Sequence, residues 1–358
     1  MSDATAIVVI THDPSPFQVE YFDSISRRTK LHAVYLHASH PTRKFIQPRH
    51  ETLFLDQIND AEERLVHLID HAEFVVFSDY QSPMVRRAMG RREAAGQAWS
   101  FWGERLGYHG LGWLGRASRY VLMRSLRRSR APIWAMGSWA VNSYEREFGL
   151  ERRYFNVPYC SNLRRFSDAG EQRNLSETFR FLYSGSLIHR KGVDLLSHAF
   201  RRLATRLQSV SLAVTGRGPL RAEMETILMP VSDRVKFLPD VDWYGLPAQY
   251  AQAHVLCAPS RYDGWGMVIP EGLASGLPVI STNRVGAALD LVQPGSNGWI
   301  VPADNEEAIY QAMLEAATMD SLKWRGMSQY ARTVIEKYDL QAGTDRFLHA
   351  VADSLSQC

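Results

Sequence analysis

The chain has 358 residues, 45% of them hydrophobic and 22% charged, with a formal net charge of +3. That length exceeds the roughly 250 residues at which a single core stops growing, so two domains are expected, and the composition is that of an ordinary globular protein. So small a summed charge favours no particular partner by long-range electrostatics. Cys160, Cys257 and Cys358 are far apart and lack C-x-x-C spacing. They make neither a disulfide framework nor a zinc site and suit a reducing cytosol. The opening "MSDATAIVVITHDPSP" has no basic region and too short an apolar run for a signal peptide. No window approaches the roughly 20 apolar residues of a membrane span. The expectation is a cytoplasmic protein whose membrane contact is at most peripheral.

In chain order, the predicted strands of the first half are "AIVVI" (6–10), "LHAVYLH" (31–37), "FVVFS" (74–78), "WSFW" (99–102), "PIWAMG" (132–137) and "YFNVPY" (154–159). Helical patterns such as "FQVEYFDSISRR" and "SWAVNSYEREFG" separate them. The second half repeats the rhythm with "FRFLYSG" (179–185), "SVSLAVTG" (209–216), "RVKFLP" (234–239), "HVLCAPS" (254–260), "PVIST" (278–282) and "GWIVP" (298–302). Strands that are apolar without alternation, each followed by a helix, predict parallel sheets buried on both faces. Two such runs predict an α/β protein of two doubly wound, Rossmann-like domains: residues 1–165, rejoined by a final helix at about 340–358, and residues 166–339. Ligands of such sheets lie at the carboxyl ends of the strands, and with two sheets facing each other the expected site is the cleft between them.

Three strand-end loops of the second half carry the informative residues. In "YSGSLIHRKGVDLL", Arg190 and Lys191 precede a helix start, where cations are disfavoured unless an anion binds. A solvated basic turn and a phosphate site both fit. In "VTGRGPL", Gly216 permits close backbone approach to a ligand, although most such turns are only tight connections, and Pro219 is placed to open a helix. In "RYDGWGMVIPEGLASG", the amides of Gly264, Trp265, Gly266 and Met267 precede a short helix closed by Gly276. Asp263 reads there as an N-cap or a ligand-binding acid, and Glu271 as a surface carboxylate or a second ligand contact.

Taken together, these blocks resemble the retaining glycosyltransferases of family 4, which have the GT-B architecture. Asp263-Gly-Trp-Gly-Met-Val-Ile-Pro-Glu271 is similar to that family's E-x-F-G-x-x-x-x-E signature, "GSLIHRKGVDLL" to its G-R-L-x-x-x-K-G-x-D-x-L loop, and "VTGRGPL" to its G-x-G-P turn. The similarity is specific over about residues 180–320. Two positions depart from the pattern: Asp263 is one methylene shorter than the usual Glu, and Ser186 stands where an arginine is usual. The resemblance implies a hexosyltransferase whose co-substrate is a UDP- or GDP-sugar and which needs no bound metal. It places Arg190, Lys191 and the Gly264–Met267 amides on the leaving diphosphate and Asp263 on the donor sugar. Glu271 falls on the ribose, and the loop Pro239–Val241, with Asp240 and Val241, on the base.

The first half says less. Strand-end candidates for the acceptor side are Phe17, Asp79, Tyr80 and Glu104. His12 reads as structural, and Glu104 equally as a helix-start carboxylate. From Arg105 to Tyr144 there is no acid, while Arg116, Arg119, Arg124, Arg127, Arg128 and Arg130 accumulate after Tyr108 and Trp113. On a continuous helix, at about 100° per residue, the six cover one half, opposite Val121, Leu122 and Ser125. They make either a solvated face or a patch for anionic membrane. No recognised nucleic-acid module accompanies them. The expected function is transfer of a hexose to a glycan or lipid-linked acceptor in bacterial polysaccharide or glycolipid assembly. The alternatives are a nucleotide-sugar epimerase of the same architecture and a non-catalytic nucleotide-sugar-binding membrane scaffold.

Overall fold

The computed structural model describes residues 6–38, 46–106, 112–172 and 178–356. The chain divides into two compact units, one running to Asn162 and rejoined from Leu340 onward, the other Leu163–Asp339.

In the first unit, seven parallel strands run β1 (Ala6–Thr11), β2 (Lys30–Tyr35), β3 (Glu51–Phe54), β4 (Phe74–Phe77), β5 (Trp99–Gly103), β6 (Ile133–Ala135) and β7 (Tyr154–Asn156). Their order in the sheet is β3-β2-β1-β4-β5-β6-β7. The unbroken apolar run of β1 has a direct cause. Val8 and Ile10 enter the core on one face with Val75 and Phe77. Ile7 and Val9 enter the other with Phe74 and Val76. The last helix, Leu340–Leu355, returns to cover that second face with Phe347, Ala350 and Val351. Six of the strands are those expected, with their ends shifted by up to three residues. Strand β3 was not expected: "ETLF" is a four-residue edge strand, only partly buried, without the apolar run that marks the others. Its pairing places Glu51 beside His32 on β2, where His32 Nδ1 and Glu51 Oε2 are 2.8 Å apart.

The second unit has six parallel strands, β8 (Phe179–Ser184), β9 (Val210–Thr215), β10 (Val235–Phe237), β11 (Val255–Ala258), β12 (Val279–Thr282) and β13 (Gly298–Val301), in the order β10-β9-β8-β11-β12-β13. All six match expected segments. The helix Val193–Arg206 buries Val193, Leu196, Ala199, Phe200 and Leu203, and the helix Glu306–Ala317 buries Ile309, Tyr310 and Met313, in one shared core.

In both sheets the order of strand addition reverses once, between β1 and β4 and between β8 and β11. Those two switch points are where an open α/β sheet leaves a crevice for a ligand.

Two local expectations are corrected. Pro219 does not open a helix: the chain first closes a turn, Arg221 N bonding back to Gly218 O at 3.2 Å, and the helix starts at Arg221. The arginine-rich segment is not one helix but two, Gly112–Leu122 and Arg124–Arg128, broken at Met123, whose side chain is buried.

Candidate active site

The switch point of the second sheet gathers the residues singled out from the sequence. The turn after β8 ends in a short 3-10 segment, His189–Lys191, and the turn after β11 carries Asp263. Lys191 Nζ donates to Asp263 Oδ2, and Arg190 Nη1 stands 3.8 Å from Oδ1 while donating to the Tyr262 carbonyl at 2.9 Å. Side-chain exposures of 17% for Lys191 and 12% for Asp263 exclude a merely solvated basic turn. Two cations against one carboxylate leave this cluster one net positive charge. Tyr183 lies beneath it, its hydroxyl pushed well up by burial and by the Asp263 charge and donating to the Ser186 carbonyl at 2.7 Å.

Asp263 is not an N-cap. The helix Val268–Ala274 starts after Met267 with no side-chain cap, and the backbone of Asp263 is pinned to the 284–286 turn on both sides: its N–H donates to Arg284 O at 2.9 Å, and its carbonyl accepts from Gly286 at 3.1 Å. Gly266 has a φ of +89°, and a Cβ there would sit 2.8 Å from Val285 Cγ1 and 3.3 Å from Asp263 Oδ2, so only glycine lets the chain turn this close to the carboxylate. Trp265 is buried, while Met267 is half-buried.

Glu271 is not a surface carboxylate. It is 2% exposed, and Tyr250 donates its hydroxyl to Oε2 at 2.8 Å. Burial, followed by the Glu271 charge, raises the Tyr250 hydroxyl well above its ordinary value, which keeps it a donor. A buried carboxylate is costly unless hydrogen-bonded, and the Tyr250 hydroxyl offsets part of that cost.

At Gly216 a Cβ would meet Gly185 O at 1.8 Å, because the turns after β8 and β9 pack backbone to backbone. Asp240 pairs with Arg217 at 2.7 Å, joining the loop after β10 to the turn after β9. Val241 is half-buried next to it, and the Pro239 carbonyl accepts from Gln249 Nε2 at 3.0 Å.

In the first unit, Phe17, Asp79, Tyr80 and Glu104 follow β1, β4 and β5, which are neighbours in the sheet and flank its switch point. Phe17 packs against Tyr159 with ring centroids 5.0 Å apart. Asp79 accepts from the amides of Gln81 and Ser82 at 3.1 and 2.8 Å, which closes the turn ahead of the helix Pro83–Ala94. Burial pushes the Tyr80 hydroxyl up, with the Arg119 charge pulling the other way. The Glu104 side chain is exposed, and its carbonyl accepts from Tyr144 at 2.9 Å.

Of the arginines, Arg116, Arg124, Arg128 and Arg130 are exposed. Arg119 is half-buried, and Arg127 turns inward, pairing with Glu147 and stacking over Tyr120 and Phe148 at 4.7 and 4.6 Å. Val121, expected opposite the arginines, is instead 69% exposed beside Tyr120 at 65%. Tyr108 and the side chain of Trp113 lie outside the described residues. Among the described residues there is no cluster of His, Cys, Asp and Glu able to hold a metal ion, and no helix is long and apolar enough to cross a membrane.

With this geometry in place, the class follows. The architecture is the GT-B fold: sucrose-phosphate synthase from Thermosynechococcus elongatus superposes with a TM-score of 0.77 over 99% of this chain and 100% of its own, at 18% identity. The Anabaena protein HepE in complex with UDP gives 0.79 over 98% and 100%, at 14% identity. At such identities the likeness is one of fold. More particularly, residues 178–318 match the family model described as Glycosyl transferases group 1.

Among curated relatives, a GDP-mannose-dependent alpha-(1-6)-phosphatidylinositol monomannoside mannosyltransferase of Mycolicibacterium smegmatis is 26% identical over 247 residues, 64% of this chain and 62% of that one. An alpha-1,4-N-acetyl-D-galactosaminyltransferase of Campylobacter jejuni, named for an undecaprenol-diphosphate-linked acceptor, is 26% identical over 65% of this chain and 64% of its own. The chain thus spans less than two thirds of the length of these relatives.

One residue of the site escaped sequence reasoning. Arg261, two positions before Asp263, is only 14% exposed at its side chain and fully engaged in ion pairs. An arginine in a turn carries no signal in sequence that separates it from a solvated one.

Proposed function

We propose that the protein is a hexosyltransferase that moves a sugar from a UDP- or GDP-sugar to a glycan or lipid-linked acceptor. The transfer retains anomeric configuration, needs no metal ion, and serves polysaccharide or glycolipid assembly at the inner face of the cytoplasmic membrane. In this reading residues 166–339 bind the donor, and residues 1–165 with the final helix bind the acceptor. The observation that carries it is the juxtaposition, at one sheet's switch point, of the Arg190–Lys191–Asp263 cluster with the buried Glu271–Tyr250 pair, within the segment that matches the group 1 glycosyltransferase model.

The chemistry follows from charge. A departing nucleoside diphosphate gains negative charge as the glycosidic bond lengthens, and preorganised donors aimed at that charge lower the barrier more than any that must reorient. Lys191, Arg190 and the Gly264–Met267 amides supply such donors. Asp263 keeps Oδ2 on Lys191 and turns Oδ1, at the longer 3.8 Å from Arg190, to a sugar hydroxyl. Glu271 accepts from the ribose hydroxyls, and the loop Pro239–Val241, with Asp240 and Val241, borders the base. Phe17, Asp79, Tyr80 and Glu104 border the acceptor. The named substrates of the relatives, GDP-mannose and a polyprenol-diphosphate-linked glycan, and the UDP held by the HepE structure support donors and acceptors of these classes.

Incubation with a panel of UDP- and GDP-hexoses, read by mass spectrometry, is expected to give transfer or slow hydrolysis of at least one donor. A protein that consumes none contradicts the proposal, and interconversion of a donor without acceptor, seen by NMR, would point to an epimerase instead.

A further inference from the structure

Arg261 follows β11 and reaches back across the switch point. Its Nη1 and Nη2 form a fork on the Asp194 carboxylate, both at 2.7 Å. Nη1 also donates to His189 O at 2.7 Å, and Nε donates to Asp304. Its own amide donates to the Arg190 carbonyl at 2.9 Å. One residue thereby fixes both ends of the segment 189–194: the carbonyls of His189 and Arg190 before Lys191, and the first acid of the helix Val193–Arg206 after it. Asp304, the third anchor, follows β13 with a φ of +60°, the single described non-glycine residue in the left-handed region. Such a backbone persists only where its surroundings over-determine it.

The fork matters because of what it holds. Lysine carries long rotamer freedom, and a cationic side chain contributes to an anion's binding only to the extent that it is already aimed. Lys191 and Arg190 lie between the points that Arg261 clamps, and Asp263 lies two residues beyond it on the same turn. Burial alone would raise the Asp194 carboxyl, but the Arg261 hydrogen bonds and charge outweigh it and hold it below its ordinary value, so the fork stays ionised at neutral pH.

We infer that Arg261 is a positioning residue for the donor diphosphate: it fixes the 189–194 turn so that Arg190 and Lys191 face the phosphates, without touching the donor itself. The inference rests on the donor-site reading above. It has a consequence that a purely structural role would not share. Loss of Arg261 should weaken ligands that carry a diphosphate and spare those that carry only base and ribose, because Glu271 and the 239–241 loop do not depend on the fork.

The test is calorimetric titration of UDP, GDP, uridine and guanosine into the wild-type chain, Arg261→Met, Arg261→Lys and Lys191→Ala, with thermal unfolding followed in parallel. Arg261→Met is expected to lose about tenfold or more in affinity for the better-bound diphosphate, the order expected when a binding group is misplaced by about 1 Å. The matching nucleoside should bind as it does to wild type. Arg261→Lys, which keeps the charge but not the fork, should fall between the two and supplies the comparison where the methionine variant unfolds. A loss shared equally by diphosphate and nucleoside, or no loss in either Arg261 variant while Lys191→Ala loses diphosphate, overturns the inference and leaves the donor site standing. Unchanged diphosphate affinity in Lys191→Ala would instead overturn the site reading on which it rests.

Discussion

His50 shows how a single buried group couples the fold to pH. Its side chain is fully buried, with Nδ1 at 2.7 Å from Asp23 Oδ1 and Nε2 at 3.3 Å from the Tyr35 hydroxyl. Asp23 Oδ1 also takes the amides of Arg49 and His50, at 2.8 and 3.0 Å. Burial lowers the His50 pKa below 6.5 even though the Asp23 hydrogen bond and charge pull it up. The unfolded chain therefore binds the proton more tightly than the folded one. Stability is full above the ordinary histidine value and is lost as pH falls through the depressed folded one. Urea unfolding from about pH 7.5 down to about pH 5 should show wild type losing ground against His50→Asn, and a gap that stays constant with pH contradicts this. Residue identity was legible at Asp263, Glu271, Arg190 and Lys191, but their burial was not. Each had a bland reading in the sequence, a solvated turn for Arg190 and Lys191, an N-cap for Asp263 and a surface carboxylate for Glu271, and three-dimensional pairing removed it. Arg261 was invisible for the opposite reason, because the partners that make it unusual lie 67 and 43 residues away.

Whole elements were more legible than residues wherever an element is buried on both faces. Ten strands announce themselves as apolar runs because most of their residues are buried; the edge strands β3, β7 and β10 are all partly exposed, and of these only β3 lacks an apolar stretch that marks it. The arginine-rich segment went wrong at the level of period. A face drawn at 100° per residue assumes one helix, and the break at Met123 resets the phase of the residues after it, among which Arg127 turns inward to Glu147. The surviving exposed set, Arg116, Arg124, Arg128 and Arg130 beside Tyr120 and Val121, supports peripheral docking to an anionic bilayer, since basic side chains flanking apolar ones add electrostatic attraction to interfacial burial. Co-sedimentation with phosphatidylglycerol vesicles at low salt should fall on the order of a hundredfold in Arg116→Glu/Arg124→Glu/Arg128→Glu, with the thermal transition unchanged. Equal sedimentation of the two proteins would return the patch to a solvated surface.

For the molecule as a whole, sequence rhythm alone carried the two parallel sheets, because strand-helix alternation leaves few topologies open. It did not carry which strand ends would meet, since sheet order is set by packing of distant segments. The orders found place the turns after β8 and β11 side by side, and the donor-site proposal depends on that adjacency. Its most direct test is titration of UDP, GDP and their hexoses into wild type and Glu271→Gln, which keeps the side chain's shape and removes its charge. Hydrogen bonds to a charged group contribute about 1.5–3 kcal/mol. Wild type is predicted to bind at least one of these ligands, with the variant about ten- to a hundredfold weaker. Failure of wild type to bind any of them, or equal binding by both proteins, would contradict the account.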